Sequence, residues 1–204
     1  MAVSLDASAL SGDFNTIKTW THTCVAGASH LFVVSSHYSG SGNTGFSNVT
    51  YAAVSLTLVK KEDVGNEVEE IWVLSNPASG ANTVEVVGGG DQGRGRSLSF
   101  LRGILPTGYS AQGTSTSDVL TVNAIAGGAT IEGAFVNLST AITPDSGQTE
   151  VDDLDYWFSR RHWSGYTLGA LTTAGLSWGG SVAFAHCAVT LAPRLGGDQV
   201  IRYN

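Results

Sequence analysis

Punctuation is the feature that most constrains this chain. Short runs rich in β-branched and aromatic residues recur along its whole length. Each is closed by Gly, Ser, Asn or Pro before it is long enough to make a stable helix. Residues 20–25 end in the small-residue turn 26–29. Residues 30–36 carry Leu31, Phe32, Val33 and Val34 and give way to the polar stretch 39–45. In 48–59, Val54, Leu56 and Leu58 alternate with Ser55 and Thr57, a period of two with one wet face. The run 71–74 is stopped by Asn76 and Pro77, because a proline cannot donate to a ladder. Further runs cover 83–87, 98–104, 119–124, 129–138, 156–158, 166–171 and 182–191.

About eleven strands at roughly 8–15-residue spacing predict a sandwich or barrel. The expected architecture is all-β: a two-sheet antiparallel β-sandwich, jelly-roll-like. The alternation predicts that Val54, Leu56, Leu58, Ile71, Val73, Val189 and Leu191 are buried. Two segments also fit helical spacing. Gly65 and Asn66 weaken the first, Val64/Val68/Ile71. In the second, Leu154, Tyr156 and Phe158 alternate with Asp153 and Asp155, which favours a strand.

Composition supports strands. Charged residues are 13% of the chain, against roughly 25% in ordinary soluble domains, and 26 of the 204 residues are Gly. The surface must then be covered by Ser, Thr, Asn and Gly, which weaken helix interiors. The expected organisation is one domain over 1–204 with short arms at 1–15 and 196–204. In the second arm, Val200, Ile201 and Tyr203 follow a Gly pair and could dock on a sheet edge or a neighbouring subunit.

The net charge of −7 argues against a nucleic-acid partner, whose footprint is basic and clustered. No apolar run approaches the ~20 residues needed to span a bilayer, so no membrane partner is expected. Residues 1–14 lack a basic and then apolar leader, so synthesis in a cytoplasm without secretion is expected.

The motifs that could carry chemistry are weak. Gly88, Gly90 and Gly93 formally fit G-x-G-x-x-G, but Arg94, Gly95, Arg96 and another strand follow where a dinucleotide site needs a helix. The expectation is a flexible loop exposing Arg94 and Arg96 at its tip, as candidate contacts to an acidic partner. No window matches G-x-S-x-G, and none of the five histidines stands at a recognised spacing from a Ser or Cys. His22/Cys24 and His186/Cys187 invite a zinc reading, yet 186 and 187 point to opposite faces of a strand, so core packing is expected. The acidic stretches 62–70 and 150–155 read as solvated rims rather than calcium loops. Asn48 and Asn137 head glycosylation sequons that a cytoplasm-made chain would not use. No cofactor, metal or catalytic residue is expected. The aromatics Trp157, Trp163 and Tyr166 could form a sugar platform, or fill a core.

Six stretches together resemble a family of bacterial and phage β-sandwich domains: 21–23 (THT), 30–34 (HLFVV), 48–59, 70–77 (EIWVLSNP), 83–87 (TVEVV) and the strand 183–193. Residues 144–178 depart most from that pattern. Members resemble jelly rolls and occur among phage virion proteins and on secreted bacterial proteins. The resemblance implies a non-enzymatic virion structural protein, foremost a head decoration protein on the outer capsid surface. Its implied partners are the major capsid protein, other virion proteins and further copies of itself, with a trimer favoured. The alternatives are a carbohydrate-binding module or a tail or receptor-binding component.

Overall fold

In a computed structural model, the described residues are 1–14, 17–38, 45–88, 92–123, 125–156 and 160–194. They form an all-β protein of antiparallel sheets packed face to face, as the punctuation predicts. Among these residues no helix is long and apolar enough to cross a membrane.

The sandwich has three layers rather than the expected two. The central sheet runs β1 (Ser4–Phe14), β9 (Gln92–Leu101), β3 (Ala28–Tyr38), β7 (Glu67–Ser75) and β6 (Thr57–Val64). One face is covered by a four-stranded sheet of β2 (Ile17–Cys24), β8 (Gly80–Gly88), β4 (Phe46–Tyr51) and β5 (Val54–Ser55). The other is covered by β10 (Gly103–Thr121), β15 (Thr173–Pro193), β11 (Ala129–Val136), β14 (Arg160–Leu168) and β13 (Thr149–Tyr156), with β12 (Thr143–Pro144) beside β15.

The central position explains the unbroken apolar run in β3. Successive side chains of a strand face opposite ways, so a strand covered on both faces needs no polar alternation. Leu31 and Val33 join Trp20, Val49, Tyr51, Trp72, Val84 and Val86 in the core beneath the four-stranded sheet. Phe32 and Val34 join Ile71, Leu98, Phe100, Ile131, Val189 and Leu191 in the core on the opposite side.

Several expectations are corrected. Leu56, Ile71, Val73, Val189 and Leu191 are buried, but Val54 is 53% and Leu58 39% exposed. Their strands, β5 and β6, lie at sheet edges, where alternation does not guarantee a covering layer. Within the expected first arm, Ser4–Phe14 is no free segment, since it pairs along β9 as the edge of the central sheet. The other proposed arm, with Val200, Ile201 and Tyr203, lies outside the described residues. The first helical alternative resolves as the β6–β7 hairpin, turning at Gly65, and the second as strand β13. Cys24 and Cys187 are both free and sit in cores on opposite faces of the central sheet, which rules out a bond between them.

Candidate functional site

The parity that places Phe32 and Val34 toward β11 and β15 also governs the rest of their strands. Continuing along β3 brings Ser36 and Tyr38 onto the same face; along β7, Glu69 and Glu67; along β9, Arg96 and Arg94. One end of this interlayer space is therefore apolar and the other polar. Asp152 of β13 and Arg160, His162 and Ser164 of β14 meet these groups from the facing sheet.

At the centre, the Ser36 hydroxyl bonds both the Glu69 carboxyl and Nδ1 of His162, and all three residues are fully buried. Burial pushes the Glu69 carboxyl well above the usual carboxylate range, against the opposing Ser36 bond. Burial pushes His162 well below its ordinary value, helped by the charges of Arg96 and Arg94. The Ser36 hydroxyl donates its one proton to Glu69, so the second bond is completed by a ring N–H at Nδ1 of His162 donating to the Ser36 oxygen.

The three residue types are those of an acyl-transfer triad, but the order differs. A triad places the imidazole between acid and nucleophile, with one ring nitrogen toward each. Here serine is in the middle, and acid and imidazole both bond it. Nε2 of His162 has no hydrogen-bond partner among the described residues. This arrangement ties β3, β7 and β14 together and does not activate Ser36 toward an outside group.

Beside it lies a charged group. Asp152 pairs with Arg96 and, at 3.5 Å, with Arg94 Nε, while Arg96 Nε donates to Ser164 Oγ at 3.2 Å. Burial and the neighbouring Arg94 lower the Arg96 guanidinium to about 9, so it stays charged at neutral pH. Arg160 Nε approaches Glu67 at 3.4 Å, and its guanidinium lies 3.7 Å from the centre of the Tyr38 ring.

These positions correct the sequence expectations. Arg94 and Arg96 are not an exposed loop tip, because β9 begins at Gln92 and carries both into the interlayer space. The stretch 62–70 is not a solvated rim, since Glu67, Glu69 and Glu70 are buried, and Asp152 of the second acidic stretch is buried too. Glu70 faces the other layer, where it accepts from Trp72 Nε1 at 3.1 Å and from the backbone of Phe46 at 3.2 Å.

The sugar platform is not assembled. Trp163 is fully buried among Ala134, Val136, Leu176 and Phe184, and half-buried Tyr166 packs edge-on against Phe100. Core filling took both rings, and Trp157 lies outside the described residues. Nor do the zinc candidates converge, because His22 and Cys24, on β2 of the four-stranded layer, face one side of the central sheet, while His186 lies in the layer on the other side and turns away from it.

The layer beneath the four-stranded sheet holds its own polar chain. Trp20 Nε1 donates to Ser97 Oγ at 2.9 Å, and Ser97 Oγ lies 2.9 Å from His22 Nδ1. His22 Nε2 lies 3.0 Å from Ser99 Oγ, which donates to Asp6 at 2.8 Å. Since Ser99 gives its proton to Asp6, it accepts from Nε2, and Nδ1 then accepts from Ser97. Every member is satisfied with neutral His22. Burial lowers His22 to about 4, against a smaller opposing pull from Asp6.

Fold and interior together define a three-layer antiparallel β-sandwich in which a set of buried ionisable side chains joins sheet to sheet. No family model and no curated protein matches the chain. One solved structure, described as the "Crystal Structure of the STIV MCP", aligns over 99% of both chains at 8% identity with a TM-score of 0.32. That likeness is too slight to carry an argument about function.

Proposed function

We propose that this chain is a non-enzymatic structural protein of a phage particle, seated as a decoration protein on the outer capsid surface. The observation that carries this reading is the burial of its reactive side chains. Ser36, Glu69, His162, Arg96 and Asp152 all join sheet to sheet inside the body. Such a body is a rigid block whose loops can vary while its core stays fixed, which suits docking on a pre-formed lattice. A lattice offers many identical sites, so modest affinity per copy suffices when copies also touch one another. The partners on this reading are the major capsid protein and further copies of the chain, grouped as a trimer. The resemblance of its strand patterns to phage virion domains supports the same role, whereas burial of Trp163 and packing of Tyr166 weigh against the sugar reading.

The test is binding of the purified chain to empty capsids, run beside a glycan array. Saturable, stoichiometric capsid binding is expected. Glycan binding without capsid or tail binding would overturn the proposal. So would turnover of an ester or glycan that a single serine or carboxylate change abolishes.

A further inference from the structure

Beyond the register shift between Ser115 and Ser117, β10 and β15 leave the plane of their sheet. Asp118 pairs with Leu176 there, and His186 pairs with Ala111. Asp118 is seven residues beyond Ala111, a distance of about 23 Å along an extended strand. Yet Asp118 Oδ2 lies 2.8 Å from His186 Nδ1. The two-stranded ribbon must therefore fold back over the outer face of its own sheet. Packing agrees, since Leu120, Val122 and Ala174 of the ribbon region meet Ala188, and Leu176 and Trp178 meet Ala134, Val136, Trp163 and Phe184.

His186 stands where ribbon meets sheet. It is fully buried, with Asp118 of the ribbon on Nδ1 and Glu132 of β11 at 3.8 Å from Nε2. The amide of Gln148, from the turn after β12, donates to that same carboxylate. We propose that Asp118, His186 and Glu132 form a pH-responsive latch, closed when His186 carries a proton and loosened when it loses one.

The neighbours bear out this division of charge. Tyr109, also on β10, accepts the backbone N–H of Asn123 at 3.2 Å and brings no charge. Arg161, further along this face of β14, is engaged by Asp153 and Asp155, and Asp145 sits against Gly175 of the ribbon. The charges bearing directly on His186 are thus the two carboxylates. Burial alone would lower its proton affinity, but the bonds and charges of Asp118 and Glu132 outweigh burial and raise it. A raised folded-state value means the latch contributes fully below the unfolded value of about 6.5 and is lost as pH rises through the folded one.

The test uses the full chain between pH 6 and 9. Histidine-labelled protein gives the His186 titration by NMR, and hydrogen exchange, corrected for its intrinsic pH dependence, reports opening of residues 117–122 and 173–178. The expected result is titration of His186 above 6.5 with several-fold greater opening of the ribbon at the alkaline end, while β3 stays protected. Asp118→Asn keeps the shape but removes the charge, and His186→Gln removes the titration; each should flatten the profile. Titration of His186 below 6.5, a flat wild-type profile, or the same pH dependence in both variants would overturn the latch. Should the variants fail to fold, the two wild-type measurements decide.

Discussion

Replacing His22 by Gln and following stability against pH probes how the layer beneath the four-stranded sheet is held. His22 is fully enclosed between Ser97 and Ser99, and the proton order of its chain is complete only with a neutral ring. Adding a proton at Nδ1 would set an N–H against a Ser97 hydroxyl that already accepts from Trp20 and whose own proton points at the ring. The folded value is about 4 and the unfolded value 6.5. Between those limits the unfolded chain binds the extra proton, so stability is fully present above pH 6.5 and falls as pH drops toward 4. The separation corresponds to about 3 kcal/mol between pH 7 and pH 4, with a slope approaching about 1.4 kcal/mol per pH unit. Urea unfolding of wild type and His22→Gln at half-unit intervals isolates this contribution, because all other titrating groups are common to both. The stability difference should shrink by about 3 kcal/mol on going from pH 7 to 4. A difference that stays constant over that range would refute the neutral-ring argument.

Four other outcomes follow from the geometry. Arg96→Ala takes from the buried Asp152 carboxylate its nearer partner, leaving Arg94 at 3.5 Å, and should cost about 3 kcal/mol by urea unfolding, whereas the paired change Arg96→Met with Asp152→Leu should cost less. Gly133→Ala would drive a methyl group into Glu69 and Val34 where β11 approaches the central sheet, and should lower stability by about 1–3 kcal/mol. In the two-residue turn between Tyr51 and Val54, Ala52 and Ala53 hold φ of 50° and 62°, a conformation that favours glycine. Ala53→Gly should therefore raise stability by up to about 1 kcal/mol, relief of strain outweighing the added freedom of the unfolded chain. Cys24 and Cys187 should resist a thiol reagent in the native protein and both react after unfolding; fast native labelling of either would contradict their burial.

The strands were legible because their signal is local. A run such as 30–34 declares itself as extended and apolar whatever lies above or below it. The number of layers was not legible, because a covering sheet comes from distant sequence. The unbroken apolar character of β3 nevertheless held the clue, since a strand with one wet face would alternate. The same limit explains Val54 and Leu58, whose alternation resembles that of Leu56 but whose strands lie at sheet edges, where both side chains stay partly exposed among the described residues.

The interlayer polar cluster was missed because polarity was read as exposure. In residues 67–73, Glu67 and Glu69 share parity with Ile71 and Val73, and in 32–38 Ser36 shares parity with Phe32 and Val34. A strand that stays on one face while turning from apolar to polar either leaves the core or carries its polar groups into it. Only a partner strand of opposite character distinguishes these outcomes, and β13 and β14 supply Asp152, His162 and Ser164 from far along the chain, with Ser164 68 residues from Arg96 and His162 126 residues from Ser36. Low charge content sharpens the point. With 10 Lys and Arg and 17 Asp and Glu in 204 residues, placing Arg96, Glu67, Glu69, Glu70, Glu132 and Asp152 inside draws heavily on a small supply. Desolvating these groups opposes folding unless each finds a partner or sheds its charge. They do both, by ion pairing at Asp152, by a hydrogen bond from Ser36 at Glu69 and by loss of charge at His162, so that alignment of the two sheets depends on chemistry as well as on shape.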